Sequence, residues 1–476
     1  MSLIEPAALA ARPAERIDRH GRSQVDIGAM LRLAVPLMAS NAVQAIINLT
    51  DTWFIGRVST EAVAAMSSIY WIMTAAILVL GGVGLAVQTF VSQAIGSRRR
   101  PRAALATWCA LWATLATWPV FIALAFGGPW LLKPFGLTPE IESLALQYWE
   151  PRMAGAAIGA AAWALMGFFN GISATRFTML VVVTMTVANL PANELFIFKW
   201  GLGMSGAAWG TNVAQLCGLI VAAVIFLGPR MAKTYRTRLM WRPRASMVAA
   251  QLSIGIPIGI MYGADVLGVA LAQLMVVQVT PVGAAATQVV MMLTSLAYMP
   301  TLGIATAGTT LVGQSIGAGD RDWAGRIGNV TIALCACLMG GVALLLLLTG
   351  QWLVPQFLSA DDAASGAATA LALTLLWPAA AYQVFDGLYF GSSFTLRGAG
   401  DTRVPAVAAL VLSWFVYVPL AHTLIFAPGE GWIDGLPQLG LGAIGAWFAL
   451  MTYATLLGSS LFWRWRSGRW RQMRIN

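Results

Sequence analysis

The chain is 476 residues long, 58% hydrophobic and only 10% charged, with a mean hydropathy of +0.74. A water-soluble domain of that size would expose large apolar patches, so the composition excludes one and describes an integral membrane protein. The formal charge of +10 sits in basic loops rather than on a folded basic domain, which excludes nucleic-acid binding as its purpose.

Taken in chain order, the residues before Asp26 are polar, mixing Arg12, Arg16, Arg19 and Arg22 with Glu5, Glu15 and Asp18, and they lack the apolar core of a signal peptide. Twelve apolar runs follow, at 29–56, 62–95, 103–127, 142–169, 177–199, 204–228, 248–279, 283–314, 326–350, 366–396, 404–427 and 440–464. Each is long enough to cross a ~30 Å hydrocarbon layer as a helix, which takes about 20 residues. The strict alternation of barrel strands is absent, and helices are the remaining way to satisfy the backbone in lipid. The expected fold is therefore an all-α integral membrane protein with twelve transmembrane helices.

The chain also repeats itself. "PLMAS…VSQAIG" from Pro36 to Gly96 returns as "PIGIM…VGQSIG" from Pro257 to Gly317, and "NGISATR" (170–176) returns as "RGAGDTR" (397–403). "GMSGAA" from Gly203 pairs with "GAIGAW" from Gly442 at a wider offset, which places an insertion of about a dozen residues within Pro428 to Pro437. Six spans fall in each copy, so the copies share one topology and form a parallel duplication about an axis along the membrane normal. The expected organisation is a tail (1–28), an N-lobe (29–228), a basic linker (229–247), a C-lobe (248–464) and a basic tail (465–476), with a cleft between the lobes.

Arginine and lysine collect on cytoplasmic loops. Arg98, Arg99, Arg100 and Arg102 follow span 2, Arg230, Lys233, Arg236, Arg238, Arg242 and Arg244 follow span 6, and Arg464, Arg466, Arg469, Arg471 and Arg474 close the chain, all on one side. The opposite loops hold Arg57, Lys133 and Lys199 together with the acids Glu140, Glu142, Asp361, Asp362, Glu430 and Asp434. Both termini are thus expected in the cytoplasm of a multi-pass protein of a bacterial inner membrane.

Cys109, Cys217, Cys335 and Cys337 all fall inside spans, and the Cys-x-Cys pair would point its thiols about 200° apart on a helix, so neither a disulfide frame nor a metal site is indicated. His20 and His422 are too few and too distant for a zinc site or a catalytic triad. "RGAGDTR" is expected in a short cytoplasmic turn and lacks the ending of a Walker loop. No enzyme activity and no bound cofactor are expected.

Four acids stand inside the spans: Asp51, Glu194, Asp265 and Asp386. An acid at a helix centre costs about 2.5–3.5 kcal/mol on insertion scales, so such residues face a cavity or the bundle interior and hold ions, protons or cationic ligands. Asp265 and Asp386 lie roughly 11 to 17 residues from a span end, about 16–25 Å deep. Asp51 and Glu194 stand closer to the outer ends, where a merely hydrated acid is the alternative. The acids break the duplication, since Asp265 aligns with Gln44, Asp51 with Ala272 and Asp386 with Gly159. Asn189 and Asn193 share one face of span 5 around Pro191, and with Thr211 of span 6 they offer oxygens for a sodium or proton site around Asp51. Tyr382 stands one turn before Asp386, which sets an aromatic surface beside a carboxylate, a pairing that suits organic cations.

At these residues the chain resembles the multidrug and toxic compound extrusion (MATE) family, through "PLMASNAVQAIINLTDTWFIGRVS", "VSQAIGSRR" and "YQVFDGLYFGSSFTLRGAGDTRVP", over about Met30 to Phe462, and it looks most like the bacterial NorM branch. The resemblance implies two six-helix lobes around a central cavity and export of organic cations and other xenobiotics in exchange for sodium ions or protons. It places the family's first-lobe cation site on Asp51, Asn189, Asn193 and Thr211, and its second-lobe acids and tyrosine on Asp265, Asp386 and Tyr382. Either group could hold sodium, with a proton as the alternative coupling ion, and Glu194 is a possible addition to the first. The branch usually has glutamate where Asp265 stands, and related branches have aspartate where Asn193 stands. The expected function is a monomeric secondary active multidrug antiporter working by alternating access. The rival is a lipid-linked oligosaccharide flippase of the same superfamily, which needs basic residues in the cavity. Arg152 is the one deep candidate for that role that the sequence offers.

Overall fold

The computed structural model describes residues 12–133, 137–358, 365–433 and 435–473. Asp361, Asp362, Asp434 and Arg474, used above to orient the chain, lie outside the described residues. Among those described, twelve helices are long and apolar enough to cross a membrane. In the first half these are α1 (Ile27–Gly56), α2 (Thr60–Gly96), α3 (Arg100–Phe126), α5 (Pro139–Gly171), α6 (Thr175–Asn193, continued by a π-helical turn Glu194–Lys199) and α7 (Gly203–Leu227), with α4 (Gly128–Leu132) a single turn after α3. A short α8 (Pro229–Tyr235) leads to the second half: α9 (Ala245–Val279), α10 (Pro281–Gly317), α11 (Arg321–Leu353), α12 (Ser365–Ala399), α13 and α14 (Arg403–Leu412 and Val418–Ile425, joined by a π-helical turn Ser413–Tyr417) and α15 (Gly442–Arg466).

Local chemistry sets these boundaries. Asp26, Ser59, Thr280 and Asp320 cap α1, α2, α10 and α11 by accepting the N–H of Ala29, Ala62, Gly283 and Trp323 at 2.8–3.0 Å. Within the spans, large apolar side chains such as Leu49, Val187, Val224, Leu348, Val407 and Phe415 are exposed. That outward display is stable in hydrocarbon and not in water. The described residues of the segment expected to carry the insertion, between Phe426 and Leu441, are irregular, pinned by Leu439 N–H to Thr423 O and by Ile433 N–H to the buried His422 Nε2. His422 therefore holds a loop.

The repeated motifs meet each other. On α2, Thr89 Oγ1 donates to Arg397 O and Gln93 Nε2 to Gly398 O, both at 3.0 Å, at the end of α12. Their duplicates on α10 do the same in reverse: Thr310 Oγ1 donates to Asn170 O and Gln314 Nε2 to Gly171 O, again at 3.0 Å, at the end of α5. This pseudo-twofold latch closes the two lobes at the end of the bundle that carries the basic loops. Further along, α2 and α9 cross with their backbones touching. A Cβ on Gly82 would lie 2.7 Å from Gly259 N, a contact only glycine permits.

The tail before α1 makes a small hairpin, β1 (Glu15–Ile17) paired antiparallel with β2 (Ser23–Val25), and it grips the other lobe. Arg12 Nε donates to Asp320 Oδ2 at 2.7 Å, Trp323 Nε1 to Pro13 O at 2.9 Å and Arg326 Nη1 to Ser23 O at 3.1 Å. Burial pushes the Asp320 carboxyl up, but the Trp323 N–H and the Arg12 guanidinium more than offset it and hold it below its ordinary range. A depressed carboxylate stabilises the clasp above the unfolded pKa of about 3.9, and that stability is lost as pH falls through the lower folded value. At neutral pH, Asp320→Asn is expected to mimic that loss and to speed tryptic cleavage at Arg16, Arg19 and Arg22. An unchanged cleavage rate would contradict the clasp.

Candidate functional site

Two groups of polar residues stand apart in the bundle. In the first lobe Asp51, on α1, is 5% exposed. Its Oδ1 accepts Asn189 Nδ2 at 2.9 Å and Asn193 Nδ2 at 2.7 Å, one turn apart on α6, and Thr211 Oγ1 of α7 lies 3.0 Å from Oδ2. The four residues expected to form the N-lobe site are thus in direct contact. The hydroxyl of Thr211 also lies 3.1 Å from Ala207 O, and its single proton can serve only one acceptor at a time. It can donate to a charged Asp51, or donate to Ala207 O while accepting from a protonated Asp51.

Asn193 Oδ1 is buried without a hydrogen-bond partner among the described residues. It lies where a Cβ on Gly210 would be, so the approach of α7 to α6 needs glycine there. With the carboxylate, Thr211 Oγ1 and the amide oxygens, the cluster holds enough oxygen donors for a small hard cation, once the asparagine amides turn to present oxygen. Among the described residues, no group of three or more His, Cys, Asp and Glu forms a metal cluster, so carboxylate-rich chelation is not what this site offers. Glu194 stands apart: it begins the π-helical turn on the exposed face, one residue beyond Asn193 and turned away from Asp51. Glu194 was one possible addition to the N-lobe cluster, with a hydrated acid as the alternative; helical geometry rotates successive residues by about 100° and carries it to the exposed face.

The second group lines a cavity of about 590 Å³ between the lobes. Asp265 of α9 and Asp386 and Tyr382 of α12 all face it, as expected of the C-lobe set. Asp265 accepts Tyr389 Oη at 2.6 Å, and Tyr453 Oη on its other oxygen. Asp386 Oδ2 has no hydrogen-bond partner among the described residues. Around it the wall is aromatic: Tyr382 packs edge-on to Trp447, and Tyr298 edge-on to Phe390 at 4.9 Å. Gln44, the duplicate of Asp265, faces the same cavity from α1, so one wall is neutral and the other acidic. Asp51 is not among the lining residues.

Sequence reasoning missed Tyr389 and Tyr453 as partners of Asp265, because a tyrosine in an apolar helix carries no signal of what it touches. Tyr389 did carry a periodic hint, since it follows Asp386 by three residues on α12. Arg397 needs a correction. It was expected in a surface turn, but it belongs to the last turn of α12, is 6% exposed, lines the cavity and donates from Nη2 to Leu85 O across the lobes. The turn proper begins at Gly400. Arg152, expected to be the one deep basic residue, instead donates to Asn212 Oδ1 at 3.1 Å and Gln215 Oε1 at 3.4 Å and does not line the cavity.

The removal of charge at Asp386 is a direct test of the cavity. Asp386→Asn is expected to weaken binding of a permanent organic cation by about 10- to 100-fold, the range for losing one charged contact. Asp386→Glu is expected to keep most of it. Equilibrium binding of ethidium to the purified protein reads both.

The chain matches the MatE family model over residues 36–195 and 257–423, once in each repeat. It is 30% identical over 469 residues to a protein of Pseudomonas aeruginosa named "Probable multidrug resistance protein NorM", covering 94% of this chain and 91% of that one. Its fold is similar to a crystal structure of MATE in complex with MaL6, with a TM-score of 0.80 at 18% identity over 92% of this chain and 95% of that one. It is also similar to an outward-facing multidrug resistance MATE family transporter of the MOP superfamily, with a TM-score of 0.78 at 18% identity over 92% and 94%. With the model matched twice, in the same register as the duplicated helices, the chain belongs to the MatE family of multi-pass membrane transporters.

Proposed function

We propose that the protein is a secondary active multidrug antiporter, exporting organic cations and other xenobiotics from a bacterial cell in exchange for sodium ions or protons. It would sit in the inner membrane with both termini cytoplasmic, so that the latched end of the bundle faces the cytoplasm and the cavity faces outward. The observation that carries the proposal is the separation of two carboxylate sites. Asp51 is enclosed by three donors and is not among the residues that line the cavity, which suits a small coupling ion. Asp386 lines the cavity among aromatic rings and has one carboxylate oxygen buried without a hydrogen-bond partner among the described residues, which suits a large cation.

In this reading the lobes rock about the cavity. From outside, a proton or sodium ion reaches Asp51 and removes the charge that its donors were holding. Asn189, Asn193 and Thr211 rearrange, and because they lie on α6 and α7, the packing of those helices changes with them. The state that binds the ion is then the state that binds drug weakly, and linkage requires the converse. Release of the ion on the cytoplasmic side restores drug affinity at Asp386. No nucleotide hydrolysis enters, and the transporting unit is a monomer.

The rival reading, a flippase for lipid-linked oligosaccharides, draws support from Arg397, a guanidinium that lines the cavity and would meet an anionic headgroup. Two carboxylates share that cavity, and they disfavour such a cargo. Reconstituted protein loaded with ethidium and challenged with an imposed sodium or proton gradient separates the readings. Efflux driven by one gradient supports antiport and identifies the ion. Absence of efflux under both, across a panel of organic cations, moves the flippase ahead.

A further inference from the structure

At the latched end a second cleft, of about 970 Å³, opens between α3 of the first lobe and α9 and α13 of the second. Four arginines line it: Arg99 and Arg102 from the first lobe, Arg244 at the end of the linker and Arg403 from the second. Among the described residues none of the four makes an ion pair. The one acid in the cleft, Asp401, is already paired with Arg464 at 2.8 Å.

Three helices begin at this cleft. Arg99 is the N-cap of α3, Arg244 is the N-cap of α9 and Arg403 opens α13, and no side chain caps any of the three. A helix N-terminus carries partial positive charge and favours an anion. Here each receives an arginine instead, so like charge accumulates from three directions onto free N–H groups and guanidinium forks. The rule that collects basic residues on one side of a membrane explains their side. It does not explain their convergence on one cleft between the lobes, since Arg230 and Lys233 of the same linker stay outside it.

Below the arginine rim the walls turn apolar, with Leu105, Met240, Met247 and Ile254. A ligand that matches both zones has a phosphate at its head and an acyl chain beneath. We propose that this cleft binds the headgroup of an anionic phospholipid, with the phosphate held by Arg102, Arg244 and Arg403 and the chain laid along α3 and α9. Because the site takes residues from both lobes, an occupant favours the conformation in which they are latched.

The test uses the full chain in detergent, titrated with dioctanoyl phosphatidylglycerol, dioctanoyl phosphatidylcholine or inorganic phosphate while the melting temperature is followed. Phosphatidylglycerol is expected to raise it saturably, and phosphatidylcholine and inorganic phosphate are not at the same concentrations. The variant Arg102→Gln/Arg244→Gln/Arg403→Gln is expected to need at least about tenfold more phosphatidylglycerol for half-saturation. Should the triple variant melt abnormally without lipid, the three single variants serve, each expected to weaken binding about three- to fivefold. Arg230→Gln/Lys233→Gln should bind as the wild type does. The proposal is overturned by an equal shift with phosphatidylcholine, by an equal shift with inorganic phosphate, by undiminished affinity in the arginine variants, or by equal loss in the Arg230/Lys233 variant.

Discussion

Asp51→Asn is expected to abolish gradient-driven efflux while leaving ethidium binding within about threefold of wild type. The substitution keeps the shape of the side chain but removes its charge and the site of protonation. It also sets an amide N–H₂ against the donors of Asn189, Asn193 or Thr211, which costs about 1–3 kcal/mol for a buried donor left without an acceptor. Coupling between two sites in a transporter of this kind is worth about 1–3 kcal/mol, or 5- to 150-fold in affinity. Losing it leaves the drug site intact and the drug without a driving force. Asp386→Asn should instead weaken ethidium binding itself, because that residue lines the cavity and Asp51 does not. The pair of variants is therefore separated by ethidium binding, kept in Asp51→Asn and lost in Asp386→Asn, with efflux measured on the same preparations. If Asp51→Asn weakens binding as severely as Asp386→Asn does, the two sites are not separate.

Gly82→Leu is expected to eliminate transport by a different route. The backbone of α2 rests on that of α9 at Gly255 and Gly259, and a side chain at position 82 has no space there. Overpacking costs about 1–3 kcal/mol in a core that can adjust, and here the steric conflict is with backbone. The contact belongs to the latched conformation described here, and relief of the conflict is expected to shift the equilibrium by about 100-fold or more toward states in which the lobes part at the basic end. A single cysteine placed at Ser92, which is fully buried in the latch, should become reactive to a membrane-impermeant thiol reagent from that end, on a background lacking the four native cysteines. Unchanged protection in the Gly82→Leu protein would mean that the crossing does not control the latch.

Much of this architecture is legible in the sequence because it is duplicated. Gln93 and Gln314 stand in the quoted copies, and Thr89 and Thr310 share their offset within the repeat; the structure gives the reason for the copying, since each pair reaches the carbonyls that end the other lobe's helix. A contact across a pseudo-twofold axis constrains both copies alike. The site around Asp51 was legible for the opposite reason, since a carboxylate in an apolar helix has to find donors, and Asn189 and Asn193 offered them at helical spacing. What the sequence could not give was rotation about a helix axis and depth within a turn. Glu194 differs from Asn193 by one position and faces outward. Arg397 was read as part of a turn, yet α12 runs three residues further than the apolar pattern and carries it into the cavity. Tyr389 and Tyr453 were silent because a tyrosine packs its ring in an apolar helix whatever its hydroxyl reaches, so the sequence does not show the partner.

The proposed coupling of an ion at Asp51 to a drug at Asp386 is reciprocal by linkage, so it is tested most directly from the drug side. Proteoliposomes containing the protein, with no ion gradient imposed, are given an ethidium gradient, and movement of sodium ions and protons in the opposite direction is recorded. Wild-type protein is predicted to move one of the two ions against ethidium, and Asp51→Asn is predicted to move neither. Ethidium transport with no ion counterflow in the wild type, or undiminished counterflow in Asp51→Asn, would contradict it.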